Sequence, residues 1–82
     1  MGIEEWLIRW LADHSDAGEA EIRLKPDANY FAEGWMDSLN LIELICDAEE
    51  HFQIDFSNED FQNRSFSTVR GLANIIAGKT AV

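Results

Sequence analysis

Asp37-Ser38 stands at the head of the clearest amphipathic pattern in the chain, and the Ser38 hydroxyl is the first candidate for chemistry. As a hydrolytic nucleophile it would need a general base within reach. The nearest histidine in sequence, His51, lies most of a helix length away at about 1.5 Å per residue, so a serine hydrolase is rejected. As a cap, either Asp37 or Ser38 can accept a bond from an orphan backbone N–H. As an esterification site, the start of a helix offers about half a positive charge and free donors, which suit a phosphate on Ser38. A flexible group attached there would leave the helix at its end, clear of the core. Cys46 reads as a buried or half-buried small apolar residue and not as a nucleophile. His14 and His51 read as helix-end residues. No Cys, His and carboxylate grouping has metal-ligand spacing, and neither a Gly-rich phosphate loop nor an EF-hand pattern is present. No catalytic residue and no metal site are expected, and the chain is not read as an enzyme.

The segment Ser38 to Phe52 carries two apolar surfaces when drawn at about 100° per residue. Leu41, Leu44, Ile45, Ala48 and Phe52 form a core arc. Leu39, Ile42 and Cys46 form a second ridge, with Glu43, Asp47 and Glu50 beside it. A wide core stripe with a solvated charged face accounts for this pattern. So does a partner-binding face, with apolar contacts for affinity and carboxylates for steering. Periodicity leaves both open.

Two further helices follow from spacing. Ile3 to His14 places Ile3, Leu7, Trp10, Leu11 and His14 on one side. Thr68 to Ala77 repeats Val69, Leu72, Ala73 and Ile76, with Ser67 as the expected N-cap and Gly78 just past the end. Gly71 inside that pattern should cost about 1 kcal/mol relative to alanine. A short helical turn is expected from Ser57, where Ser-Asn-Glu-Asp resembles a capping box with Asp in the last place. Ser15 to Met36 reads as one long loop, with Pro26 breaking any helix and Ile22, Leu24, Tyr30 and Phe31 pinning it to the core. No alternating strand pattern finds a partner, so the expected fold is an all-α bundle.

Eighty-two residues with 46% apolar content suffice for a single domain, spanning 1–82, with one core. Sixteen acidic and six basic residues leave a net charge of −10. That charge argues against nucleic acid and anionic membrane surfaces and favours a positively charged protein partner. Eight of the carboxylates fall between Asp37 and Asn63, a stretch without Lys or Arg. One cysteine excludes an internal disulfide framework, and no apolar run approaches the roughly 20 residues of a membrane span. The opening MGIEEWLIRWL carries acid where a signal peptide carries base, so a cytoplasmic chain is expected.

Asp37-Ser38-Leu39, Glu43-Leu44, Glu49-Glu50 and Phe52, in this register on one amphipathic helix, resemble the prosthetic-group segment of acyl carrier proteins. The resemblance covers Phe31 to Asp60, and length, acidity and the long preceding loop extend it to the whole chain. It implies a four-helix bundle with a long first loop and a short third helix near Ser57 to Phe61. It implies 4′-phosphopantetheine on Ser38, flanked by Asp37 and delivered from coenzyme A by a phosphopantetheinyl transferase. The arm's thiol would then hold an acyl or aminoacyl group as a thioester, in fatty acid or secondary-metabolite biosynthesis. It further implies docking of basic patches on acyl or aminoacyl ligases, synthases and transferases. The contacts would be apolar at Leu39, Ile42 and Cys46 and acidic at Glu43, Glu49 and Glu50, with Asp47 completing the stripe read from spacing. The expected protein is a monomer. Some residues depart from the housekeeping pattern. Trp35 and Met36 precede Asp-Ser, and Phe31-Ala-Glu-Gly34 looks more like specialised free-standing carriers, D-alanyl carriers among them. Trp6 and Trp10 are expected to fill core volume that an acyl chain would otherwise enter. Aminoacyl or peptidyl carriers often show Gly-Gly before the serine motif, and only Gly34 is present here. The contrasting reading is an unmodified helical interaction module in which Ser38 is merely a cap.

Overall fold

Among the described residues, five α-helices form where apolar residues recur at helical spacing or local caps allow. They are α1 (Ile3–Asp13), α2 (Glu19–Leu24), α3 (Ser38–Phe52), α4 (Asn58–Gln62) and α5 (Val69–Thr80), with a 3₁₀ turn at Arg64–Ser67. These assignments come from a computed structural model that describes residues 2–80. Met1, Ala81 and Val82, which the single-domain expectation includes, lie outside the described residues.

Leu7, Ile8 and Leu11 of α1, Leu44 and Ala48 of α3, and Val69, Leu72 and Ile76 of α5 meet in one core. Trp10 is buried and fills core space as expected, whereas Trp6 is only half-buried against it. Ile8 was absent from the expected α1 stripe. The buried face is wide enough to take it in, while His14 ends the helix as an exposed C-cap. On α3 the core arc is graded, with Leu44 and Ala48 sealed and Leu41, Ile45 and Phe52 half-buried.

The long connection is not structureless. Pro26 ends a helix there and does not exclude one, because α2 closes at Leu24 before the ring is reached. Glu19 and Glu21 stand in the first turn of α2 and Arg23 in its last, which complements the helix dipole. Arg23 also pairs with Glu5 of α1, whose carboxyl it holds below the ordinary value. Of the four expected anchors, Ile22 and Tyr30 are fully buried, but Leu24 is 83% exposed and Phe31 39% exposed. Two residues of helix turn a side chain by about 200°, so burying Ile22 sends Leu24 outward. Phe31 lies beside the buried Tyr30 ring at the surface. The Tyr30 hydroxyl donates to the Phe66 carbonyl, and burial raises its pKa above that of an ordinary phenol. Backbone bonds from Tyr30 N to Ser67 O and from Arg70 N to Pro26 O, each 3.0 Å, stitch this connection to the start of α5.

The start and end of α5 also differ from expectation. Thr68, not Ser67, supplies the cap, its Oγ1 accepting from Gly71 N at 2.9 Å. Ser67 belongs to the preceding 3₁₀ turn. The helix runs through Gly78 to Thr80, and Lys79 in this last turn pairs with Asp60 of α4 at 2.6 Å. The capping box expected at Ser57 is present in full, with Asp60 as its acidic member.

Candidate functional site

Ser38 is positioned by what precedes it. Gly34 adopts φ +78°, a conformation natural to glycine, and Trp35 N then donates to Tyr30 O at 2.9 Å. Trp35 and Met36 are buried, which fixes the chain just before the helix begins. Asp37 is the N-cap in extended backbone, and its Oδ1 accepts from Asn40 N at 2.8 Å. Of the two capping candidates, the structure selects Asp37.

Ser38 is therefore the first residue of α3, exposed at the helix's positive end. Among the described residues its hydroxyl forms no hydrogen bond. Asn40 Nδ2 donates to the His14 carbonyl at 3.2 Å, tying this end of α3 to the end of α1. The first turn of α3 carries no acid beyond the Asp37 cap. An exposed, uncommitted hydroxyl at a helix N-terminus fits an esterified phosphate, because the group adds charge where the dipole favours it and displaces no internal bond.

Along the same helix, Leu39 is 75% and Ile42 61% exposed, a pair of large apolar side chains left facing water. Cys46 is exposed too, which corrects the expectation of a buried or half-buried residue. Its position on the second ridge takes it away from the Leu44–Ala48 face that seals the core.

The four candidate acids divide. Glu43 and Glu50 are exposed, with Glu43 Oε2 3.9 Å from His14 Nε2. Asp47 Oδ2 accepts from the indole Nε1 of Trp10 at 2.7 Å, so this carboxylate also braces α1 against α3. Glu49 is half-buried, and its Oε2 accepts from Phe56 N at 2.9 Å, which holds the turn after α3. Spacing along one helix could not reveal either bond, although Glu49 already stood apart from the acidic stripe. Both histidines lie at helix ends and stack on α1 tryptophans, His14 on Trp10 and His51 on Trp6. Among the described residues, no three His, Cys, Asp or Glu side chains gather as a metal site, and no helix is long and apolar enough to cross a membrane.

The family described as "Phosphopantetheine attachment site" matches residues 14–76, from the end of α1 to late in α5. The chain is 36% identical over 63 residues to an acyl carrier protein homolog of Mycoplasmopsis pulmonis, covering 77% of this chain and 78% of that one. It is 34% identical over 62 residues to an acyl carrier protein of Nitratidesulfovibrio vulgaris, covering 76% and 79% respectively. No solved structure gives a significant match. An all-α fold with an exposed helix-initial serine and a family match across most of its length place this chain in the acyl carrier protein family, whose members are carriers, not catalysts, and bear a covalently attached 4′-phosphopantetheine.

Proposed function

We propose that Ser38 is the attachment residue, and that the protein presents acyl or aminoacyl groups to a succession of partner enzymes. One observation carries this reading: Asp37 does the capping, so the Ser38 hydroxyl is exposed and free at the positive end of α3. When bound, the arm supplies a thiol that takes its cargo as a thioester. The chain's own residues do the rest. The α3 N-terminus stabilises the phosphate ester, and the buried Trp35-Met36 pair keeps the serine at the end of the bundle. Leu39, Ile42 and Cys46 offer apolar contact, while Glu43 and Glu50, with the outward side of Asp47, steer basic surfaces into register. Glu49 contributes to the field of this face while its carboxylate holds the following turn.

The partners in this reading are a phosphopantetheinyl transferase and ligases, synthases or transferases with basic docking patches. The protein acts as a cytoplasmic monomer in fatty acid or secondary-metabolite biosynthesis. Because the cargo is tethered, each docking event can stay weak and reversible while local concentration remains high.

Intact mass after incubation with coenzyme A and a promiscuous transferase tests the assignment. Wild-type chain should gain one phosphopantetheine and Ser38→Ala none, with the variant's melting temperature close to wild type because the cap is untouched. A wild-type chain that stays unmodified, or a Ser38→Ala chain that still gains the arm, overturns the assignment.

A further inference from the structure

His14, the C-cap of α1, joins that helix to the serine-bearing end of α3. Its Nδ1 lies 2.7 Å from the Trp10 carbonyl oxygen, and its ring stacks on the Trp10 indole with centroids 3.7 Å and planes 9° apart. Its Nε2 lies 3.9 Å from Oε2 of Glu43, and its own carbonyl accepts from Asn40 Nδ2 at 3.2 Å. These contacts matter because the core has not yet begun at this end of α3. None of the residues from Ser38 to Glu43 is fully buried, and Leu44 is the first of the helix to be sealed.

A carbonyl only accepts, so the proton of the neutral ring belongs on Nδ1, which donates to Trp10 O. That leaves Nε2 as a bare lone pair facing a carboxylate, an arrangement with no bond in it. A proton added at Nε2 turns the same two atoms into an ion pair and sets a cation on the face of the Trp10 ring. The charged groups round the imidazole are all acids. Glu43 reaches it from α3, Asp37 and Asp16 line the cleft that it borders, and Asp13 precedes it in α1. Asp47, one turn further along α3, is bonded to the indole on which the ring stacks. The nearest base in the chain, Arg9, is paired with Glu19 of α2 at 3.8 Å. Resting on Ser38 as the attachment residue and Glu43 as a docking acid, we propose that His14 is the positioning residue for Glu43. The neutral imidazole releases that carboxylate to the partner, and the protonated one withdraws it. Docking is thereby tied to proton concentration in the range where histidine changes charge, about pH 5 to 8.

Two readouts test this. Carboxyl ¹³C and imidazole ¹⁵N shifts of the labelled chain are followed from about pH 8 to about pH 5.5, above the range where carboxylates themselves take up protons. The neutral His14 ring should carry its proton on Nδ1, and the Glu43 carboxyl should move in step with the ring. In His14→Gln that step should vanish. The KM of phosphopantetheinyl transfer is then measured at both ends of the range, with one transferase, for wild type, His14→Gln, Glu43→Gln and the double variant. On going to low pH, wild-type KM should rise about two- to fivefold more than that of His14→Gln, the scale of an exposed ion pair, with kcat moving alike in both. In the Glu43→Gln background the His14 substitution should leave the pH profile unchanged, because the carboxylate it acts through is gone. His51, stacked on Trp6 beside Glu50, is common to all four chains and cancels from the comparison. A Glu43 carboxyl indifferent to His14, or transfer profiles that coincide in wild type and His14→Gln, overturns the proposal while leaving attachment at Ser38 intact. A chain whose mass shows no arm overturns the attachment and this proposal together.

Discussion

At Gly71 the backbone of the 3₁₀ turn lies directly over the helix, and a Cβ there would fall inside contact distance of the Ser65 carbonyl oxygen and Cβ. Helix propensity alone favours alanine over glycine by about 1 kcal/mol. The close approach reverses that sign. Gly71→Ala should destabilise the fold by roughly 1–3 kcal/mol, the range for forcing atoms into a packed site, as measured by urea denaturation. A variant as stable as wild type would show that the turn yields freely. Asp60 offers a second test at the same scale. Lys79 at 2.6 Å, and then the Ser57 backbone N–H, hold its carboxyl below the ordinary value. A depressed folded-state pKa contributes stability that is full above the unfolded carboxyl's pKa and is lost as pH falls through the folded one. Asp60→Asn should therefore be less stable than wild type at pH 7, with the gap closing as pH drops below the ordinary carboxyl range. Denaturation midpoints for both chains across that range check the sign, and a gap that stays constant to low pH removes the ion pair as its cause.

At the scale of elements, α3 is both a wall of the core and the face offered to partners, and its acids show how these roles overlap. Glu43→Lys should raise the KM of phosphopantetheinyl transfer by about tenfold, or about 1.4 kcal/mol, through lost steering, with little change in melting temperature. Asp47→Lys should raise KM and also lower stability by about 1–3 kcal/mol, since it orphans the Trp10 indole N–H as well. Asp47→Asn separates the two effects, restoring most of the stability while leaving part of the docking defect. Transfer kinetics indifferent to both lysine variants would remove the steering role. The helices α1, α3 and α5 were legible because each repeats apolar residues over several turns, and Asp37-Ser38-Leu39 was legible because it sits in register on the longest of them. The helix α2 escaped because six residues give less than two turns, with one sealed residue, Ile22, to mark the face. Leu24 misled for the same reason, being apolar yet on the opposite side. The bonds of Asp47 and Glu49 depend on what the other chain segments bring alongside α3, which periodicity along one helix does not encode.

For the whole molecule, charge sets the balance. Sixteen acids face six bases, and five of those bases (Arg9, Arg23, Lys25, Arg70 and Lys79) are already matched in ion pairs. Most of these pairs are well exposed, so each adds little to stability and salt weakens it further. The unmatched carboxylates are more numerous, and their mutual repulsion opposes compaction in a domain small enough to be only marginally stable. Screening should relieve more repulsion than it removes attraction. The melting temperature should therefore rise as ionic strength increases from about 0.02 to about 0.5 M, over which the Debye length falls from roughly 20 to roughly 4 Å. A net gain of about 1 kcal/mol corresponds to roughly 4–8 °C in a domain of this size, well within the resolution of thermal circular dichroism. Sodium and magnesium chloride at matched ionic strength distinguish the physical causes. Equal rises indicate diffuse screening, which suits a chain whose described carboxylates are spread along the surface without a three-ligand cluster. A melting temperature that is flat or falls with sodium chloride would mean that the ion pairs outweigh the repulsion.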